Sequence, residues 1–261
     1  MTRRRRLHRL EPAAIAGVMS RDVVVFRRYW KATTFSSIVE PTIYLLAFGF
    51  GFGSLVSTIN GYSYVEFVGT GTVATAVLFS SAFAAMFGTF VKYQFQRTYD
   101  AILAAPVDTE ELVTAESLWI ACRAGVYGCV PMVVAIFFGL DPSWGMLTVP
   151  FIGFLTGLGW ANFGIMTAGY AKAIENFNYI VSAVLTPLFL LAGTFFPLDG
   201  LPRWLQILAE ANPLHQCVEL VRAAVLYGFE WNDLLRVGVL VAFAIFMWRM
   251  AIHSMERKLI D

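Results

Sequence analysis

Long apolar runs, rather than short periodic stripes, dominate the chain. A hydrocarbon core of about 30 Å takes roughly 20 mostly apolar residues as a helix. Six stretches approach or meet that demand: Phe35 to Val56, Tyr64 to Phe90, Leu118 to Leu140, Met146 to Tyr170, Tyr179 to Phe196 and Trp231 to Ile252. Polar or turn-forming segments separate them. A lone apolar segment in lipid must satisfy its own backbone hydrogen bonds, so the pattern predicts an all-α integral membrane protein of about six transmembrane helices.

Ahead of the first run the period changes. Ile15, Val18, Met19, Val23, Phe26, Tyr29 and Trp30 recur at three-and-four spacing, with Arg21, Asp22, Arg27 and Arg28 on other faces. This predicts an amphipathic helix from about Ala13, lying on the inner leaflet. Residues 1–32 then form a basic tail and interfacial helix, and residues 33–261 a single six-span domain. Within that domain, 91–117 is the longest inner excursion and 197–230 a long outer connection.

Composition agrees: 58% of the 261 residues are hydrophobic and 14% charged, against roughly half and a quarter in soluble domains. A net charge of +1 implies no nucleic-acid partner. Distribution is more telling, because Arg3, Arg4, Arg5, Arg6, Arg9, Arg21, Arg27, Arg28 and Lys31 all precede the first run. Lys92, Arg97, Lys172, Arg257 and Lys258 then fall on the same side, while 57–63 and 141–145 hold no Lys or Arg. By the positive-inside bias both termini are cytoplasmic. Arg203, Arg222 and Arg236 run against the pattern. Arginines and Asp22 interrupt Ala13 to Lys31, so no signal-peptide core follows the basic start and the N-terminus is expected to be retained.

Motifs for energy conversion are missing. No G-x-x-x-x-G-K-[ST] loop occurs, which leaves the chain unable to cradle and hydrolyse ATP alone. His8, His215 and His253 stand in separate segments, and Cys122, Cys129 and Cys217 show no metal or disulfide spacing, so the thiols read as buried.

In the inner excursion, Tyr99, Ile102 and Leu103 beside Arg97 and Asp100 suggest a short helix ending at Pro106, with Asp108 or Thr109 capping the next. Such a helix suits docking of a soluble partner, although on composition alone the segment reads as a surface turn with solvated charges. Leu201, Trp204, Leu205 and Leu208, then Leu214, Val218, Val221 and Val225, repeat at helical spacing around Pro202 and Asn212-Pro213. A helical hairpin dipping into the outer leaflet or a plain extracellular cap both fit. Glu40, followed by Pro41 inside the first run, is the clearest intramembrane charge; Glu66 and Arg123 lie nearer the ends of their expected spans. Phe195, Phe196 and Pro197 could line a substrate path with Glu40, Pro202, Trp204 and Pro213. The glycines of GTGTVAT, beginning at Gly69, fit close helix packing.

Three blocks carry a resemblance: FVGTGTVATAVLFSSAF, RTYDAILAAPVDTEELVTAESLW and LLAGTFFPLDGLPRWLQILAEANPLHQCVELVRAAVLYG. Together they resemble the permease of type-two ABC exporters, nearest the NodJ, lipooligosaccharide-export branch. The resemblance implies a half-transporter of the bacterial inner membrane that pairs with a second copy of itself and binds two copies of a separate ABC ATPase. ATP and magnesium would sit in that partner, with no cofactor on the permease, and the cargo would be an amphipathic saccharide or lipid-linked glycan. It also implies that Arg97, Tyr99, Asp100, Ile102, Leu103 and Pro106 belong to a coupling helix, and that 197–228 forms external re-entrant helices. Ala105-Pro106 stands where Thr-Pro is common in that branch. Undecaprenyl-linked polysaccharide and hydrophobic drugs are alternative cargoes, and a membrane scaffold is the reading from another class; a neighbouring ATPase gene would separate scaffold from transporter.

Overall fold

A computed structural model describes residues 10–51, 58–59 and 61–260, side chains at 40–41, 44–45, 48–50 and 260 excepted. The described chain is almost wholly helical. We number the helices α1 (Pro12–Phe26), α2 (Trp30–Gly51), α3 (Tyr64–Phe95), α4 (Thr98–Leu103), α5 (Thr109–Phe137), α6 (Trp144–Tyr170), α7 (Asn176–Leu190), α8 (Arg203–Glu210), α9 (Pro213–Arg222) and α10 (Trp231–Ile260). A two-residue β-hairpin, Thr58–Ile59 with Tyr62–Ser63, precedes α3.

Among the described residues, α3, α5, α6 and α10 are long and apolar enough to cross a bilayer, and α7 is a shorter apolar helix. α2 runs for 22 residues, with mainly apolar composition. Local chemistry sets the boundaries. Ser63 caps α3 by accepting from the Glu66 N–H, while Glu66 accepts from the Ser63 N–H at 2.7 Å. Asp108 caps α5, and Glu111 accepts the Asp108 N–H at 2.9 Å. Gly139, at φ 110°, lets the chain leave α5 through a backbone geometry closed to side-chain-bearing residues.

The expected spans shift accordingly. α5 begins nine residues before Leu118, so Arg123 lies near the middle of its helix instead of near an end. The helix expected to be capped at Asp108 or Thr109 is continuous with the span expected from Leu118, and Glu110 and Glu111 form its first turn, where negative charge complements the exposed N–H groups. α7 stops at Leu190, short of Phe196, and α10 continues eight residues beyond Ile252.

α6 is the axis of the bundle: two-thirds of its most apolar window is buried, against 17% for α10, whose outer face is left for lipid. Small residues make the approach possible. A Cβ on Gly125 would stand 2.7 Å from the Pro150 carbonyl, and one on Gly164 would stand 2.6 Å from the Ala82 carbonyl. Gly71, within the GTGTVAT stretch, similarly abuts the Thr194 backbone. Among the described residues four π-helical turns interrupt or extend the helices, at Phe79–Phe83, Val91–Phe95, Val181–Leu185 and Ala223–Tyr227.

Candidate functional site at the two ends of the bundle

One end gathers α1, α4, the end of α3, the start of α5 and the end of α10. α1 packs its Val18 face against α5 and ties its first turn there, the Glu11 N–H donating to Glu111 Oε1 at 2.8 Å. It is therefore fastened to the bundle as well as amphipathic. Beneath it, Lys92 Nζ reaches both Glu116 oxygens at 2.6 and 2.7 Å and Asp22 Oδ1 at 3.4 Å, and Arg21 also reaches Asp22 at 3.1 Å. Both carboxylates are buried. Three helices thus share one salt-bridge seam at this end.

α4 hangs from the same seam. Tyr99 is 2% exposed and packs among Val18, Leu112 and Val113, with Ile102 and Leu103 half-buried against the same cluster. Burial, reinforced by the nearby Glu116 charge, holds the Tyr99 phenol well above its usual range, so it stays protonated. The apolar face read from the sequence is thus turned largely into the chain's own core. Arg97, Asp100, Ala101, Ala104, Ala105 and Pro106 form the outward face, with Arg97 and Asp100 3.6 Å apart. Arg97 has φ 51°, the sole positive φ among described non-glycine residues, and turns the chain sharply out of α3 into α4.

The opposite end is built from 197–230. Asn212 caps α9 by accepting the Leu214 N–H at 3.0 Å and donates its amide to the Leu188 carbonyl at 2.7 Å; Pro213 opens the helix. Pro202 stands just before α8. Trp204, Ile207 and Leu208 are exposed on one face of α8, an apolar stripe facing outward from the bundle.

Arg222 is 3% exposed. Its Nη2 donates to the Gly193 carbonyl at 2.8 Å and the Phe67 carbonyl at 3.4 Å, Nη1 meets Glu219 at 3.3 Å, and the guanidinium lies 3.6 Å from the Phe67 ring centre. His215 Nδ1 is 2.9 Å from the Ala192 carbonyl. A cavity of about 430 Å³ opens beside these residues, bounded also by Pro197, Gln206 and Glu210.

The sequence-derived path residues do not converge on one place. Phe195 meets Phe189 edge to face, ring centres 5.6 Å apart, and Tyr64 donates to its carbonyl at 3.3 Å; Phe196 is exposed, and Trp204 faces away from the bundle. Pro197 borders the 430 Å³ cavity beside Arg222. Glu40 belongs to α2, but its side chain lies outside the described residues. Of the thiols, Cys217 is buried, Cys129 half-buried and Cys122 exposed; the exposure of Cys122 corrects the expectation that all three are buried, since it sits on the outer face of α5. Among the described residues no cluster suited to a metal ion occurs. Sequence reasoning missed the Asp22–Lys92–Glu116 seam, whose members are 70 and 24 residues apart and share no local period.

Comparisons with known proteins agree with this architecture. The model of the family described as "ABC-2 type transporter" matches residues 14–226. Nodulation protein J of Sinorhizobium fredii is 30% identical over 248 residues, covering 92% of this chain and 94% of that protein. Nodulation protein J of Rhizobium meliloti is 29% identical over 243 residues, covering 93% and 92%. The inner membrane transport permease YadH of Escherichia coli is 28% identical over 238 residues, covering 89% and 90%. With its long apolar helices and a family match spanning most of its length, the chain belongs to the ABC-2 type transporter family as a multi-pass membrane permease.

Proposed function

We propose that this permease is the membrane half of an ATP-driven exporter, working as a pair of identical chains with two copies of a separate ABC ATPase that holds ATP and magnesium. The observation that carries the reading is α4: a short helix with an exposed small-residue and charged face, fixed through Tyr99 to the same core as the membrane helices α3, α5, α6 and α10. Its cargo in this reading is an amphipathic lipid-linked saccharide or lipooligosaccharide, supported by likeness to proteins named nodulation protein J. The bundle end bearing α1, α4 and Lys172 faces the cytoplasm, in keeping with the positive-inside bias.

Orientation has a direct check. Single cysteines placed in 57–63 or 141–145 should react with an impermeant maleimide on intact cells, and one at Lys172 only after lysis. Labelling of position 172 from outside would reverse the assignment.

Docking is tested on the outward face. Ala101→Glu with Ala104→Glu adds bulk and charge there without entering the core. Loss of a buried interface contact costs about 2 kcal/mol or more, so retention of the ATPase on co-purification should fall at least tenfold while insertion and melting stay unchanged. Glycolipid-stimulated ATP hydrolysis should fall with it. Undiminished retention would place the docking surface elsewhere.

A further inference from the structure

Midway along the bundle, α2, α3 and α5 enclose a second cavity of about 380 Å³. Arg123 lies in it, 14 residues into α5, and Ser80 lies 16 residues into α3. At 1.5 Å per residue both are about 20 Å or more from the start of their helices. A guanidinium at that depth is costly unless something balances it. Among the described residues Arg123 has no carboxylate partner; its Nη2 makes a long hydrogen bond, 3.4 Å, to the Ser80 carbonyl. Arg222, by contrast, has both terminal nitrogens engaged.

The rest of the wall fits a charged head joined to an apolar tail. Thr75 is 7% exposed, lines the cavity and has no hydrogen-bond partner for its hydroxyl, although Thr70 and Thr72 of the same helix bond back to their own backbone. An unspent hydroxyl is a donor for an oxyanion. Thr33, Ser36 and Ser37 add hydroxyls from α2, and Phe79 and Phe195 supply an aromatic wall. Ser36 and Phe79 are exposed at the rim, so the groove opens sideways on the surface of the bundle. Phe79 and Ser80 also belong to a π-helical turn, a local widening frequent at functional sites.

We propose that this groove binds the head of a membrane amphiphile bearing a phosphate-type oxyanion, with Arg123 as the charge partner, Thr75 as a hydrogen-bond donor and the Phe79–Phe195 wall against the tail. The fork of a guanidinium matches such an oxyanion through two parallel hydrogen bonds. This deepens the exporter reading by naming the charge its cargo carries. It is measured on the permease alone, so its failure leaves ATPase docking untouched.

The test uses the full-length permease in neutral detergent, with native mass spectrometry of added undecaprenyl phosphate against undecaprenol, the same tail without the charge. At least a tenfold preference for the phosphate is expected. Arg123→Gln should reduce the preference to about one, Arg123→Lys should restore part of it, and Thr75→Val should weaken it a few-fold, all at unchanged melting temperature. Millimolar inorganic phosphate should not displace the lipid, and displacement by it would overturn the amphiphile assignment. Competition by phosphatidylglycerol would support the site while making a resident lipid its occupant, and indifference to phosphatidylglycerol would support the carrier lipid. Should Arg123→Gln fold poorly, Thr75→Val carries the test by itself. An unchanged preference in a folded Arg123→Gln protein, or no preference in the parent, would sink the proposal.

Discussion

Lys92→Met should lower stability by about 3–5 kcal/mol, the usual cost of removing one member of a buried ion pair. The substitution strands two carboxylates, Glu116 at 1% and Asp22 at 3% exposure, with Arg21 left to neutralise only the latter. For a chain of this size that loss corresponds to a melting shift of about 6–20 °C, measurable by tryptophan fluorescence in detergent. Glu116→Met alone should cost less, because Lys92 keeps Asp22 and is itself about a fifth exposed. Lys92→Met with Glu116→Met should recover much of the deficit, since apolar side chains of similar volume commonly replace a buried pair without loss. A single Lys92→Met protein that melts with the parent would show that the seam contributes nothing to holding α1, α3 and α5 together.

The second large effect is expected at the other end. Arg222→Met should remove the donors for the Gly193 and Phe67 carbonyls and leave Glu219 with only Arg236, whose Nη2 stands 3.9 Å away. Orphaned buried acceptors and lost charge-assisted bonds together make a cost of about 3 kcal/mol reasonable. The loss should be local. Hydrogen exchange should rise in 193–230 while α5 and α6 keep their protection, because Arg222 joins α9 to the 193 loop and α3. Arg222→Lys should rescue poorly, as a single ammonium cannot reproduce a fork spread over two carbonyls and a carboxylate. Uniform protection across the molecule would mean that the clamp is dispensable.

Hydropathy made the membrane helices legible because burial in lipid is averaged over some 20 residues, and no single position can hide such a run. Their ends were less legible. Glu110, Glu111 and Glu116 kept the helix capped at Asp108 or Thr109 apart from the span expected from Leu118, yet Glu111 is occupied with two backbone N–H groups and Glu116 with Lys92, and one helix carries all three into the bundle. That misreading moved Arg123 toward an interface and concealed the groove. At α4 the pattern identified a short helix with an apolar side, but periodicity cannot say whether that side faces a partner or the chain itself; Tyr99 faces inward. The density of charge in 197–230 marked a segment that does not cross. That Arg222 would be buried against Phe67, 155 residues away, had no signature in local sequence.

The joint at Arg97 has a mechanical consequence. Helical geometry runs to Phe95 and resumes at Thr98, so the turn between them is a single left-handed residue flanked by little else. A glycine there would swivel freely, whereas a side-chain-bearing residue in that region sits in a narrow well. With Tyr99 locked in the core just beyond it, the joint works as an elbow with almost no play. In the exporter reading proposed above, a push on α4 parallel to the membrane would have no slack chain to take up and would arrive at α3 as a change of tilt, like the throw of a crank delivered to its shaft.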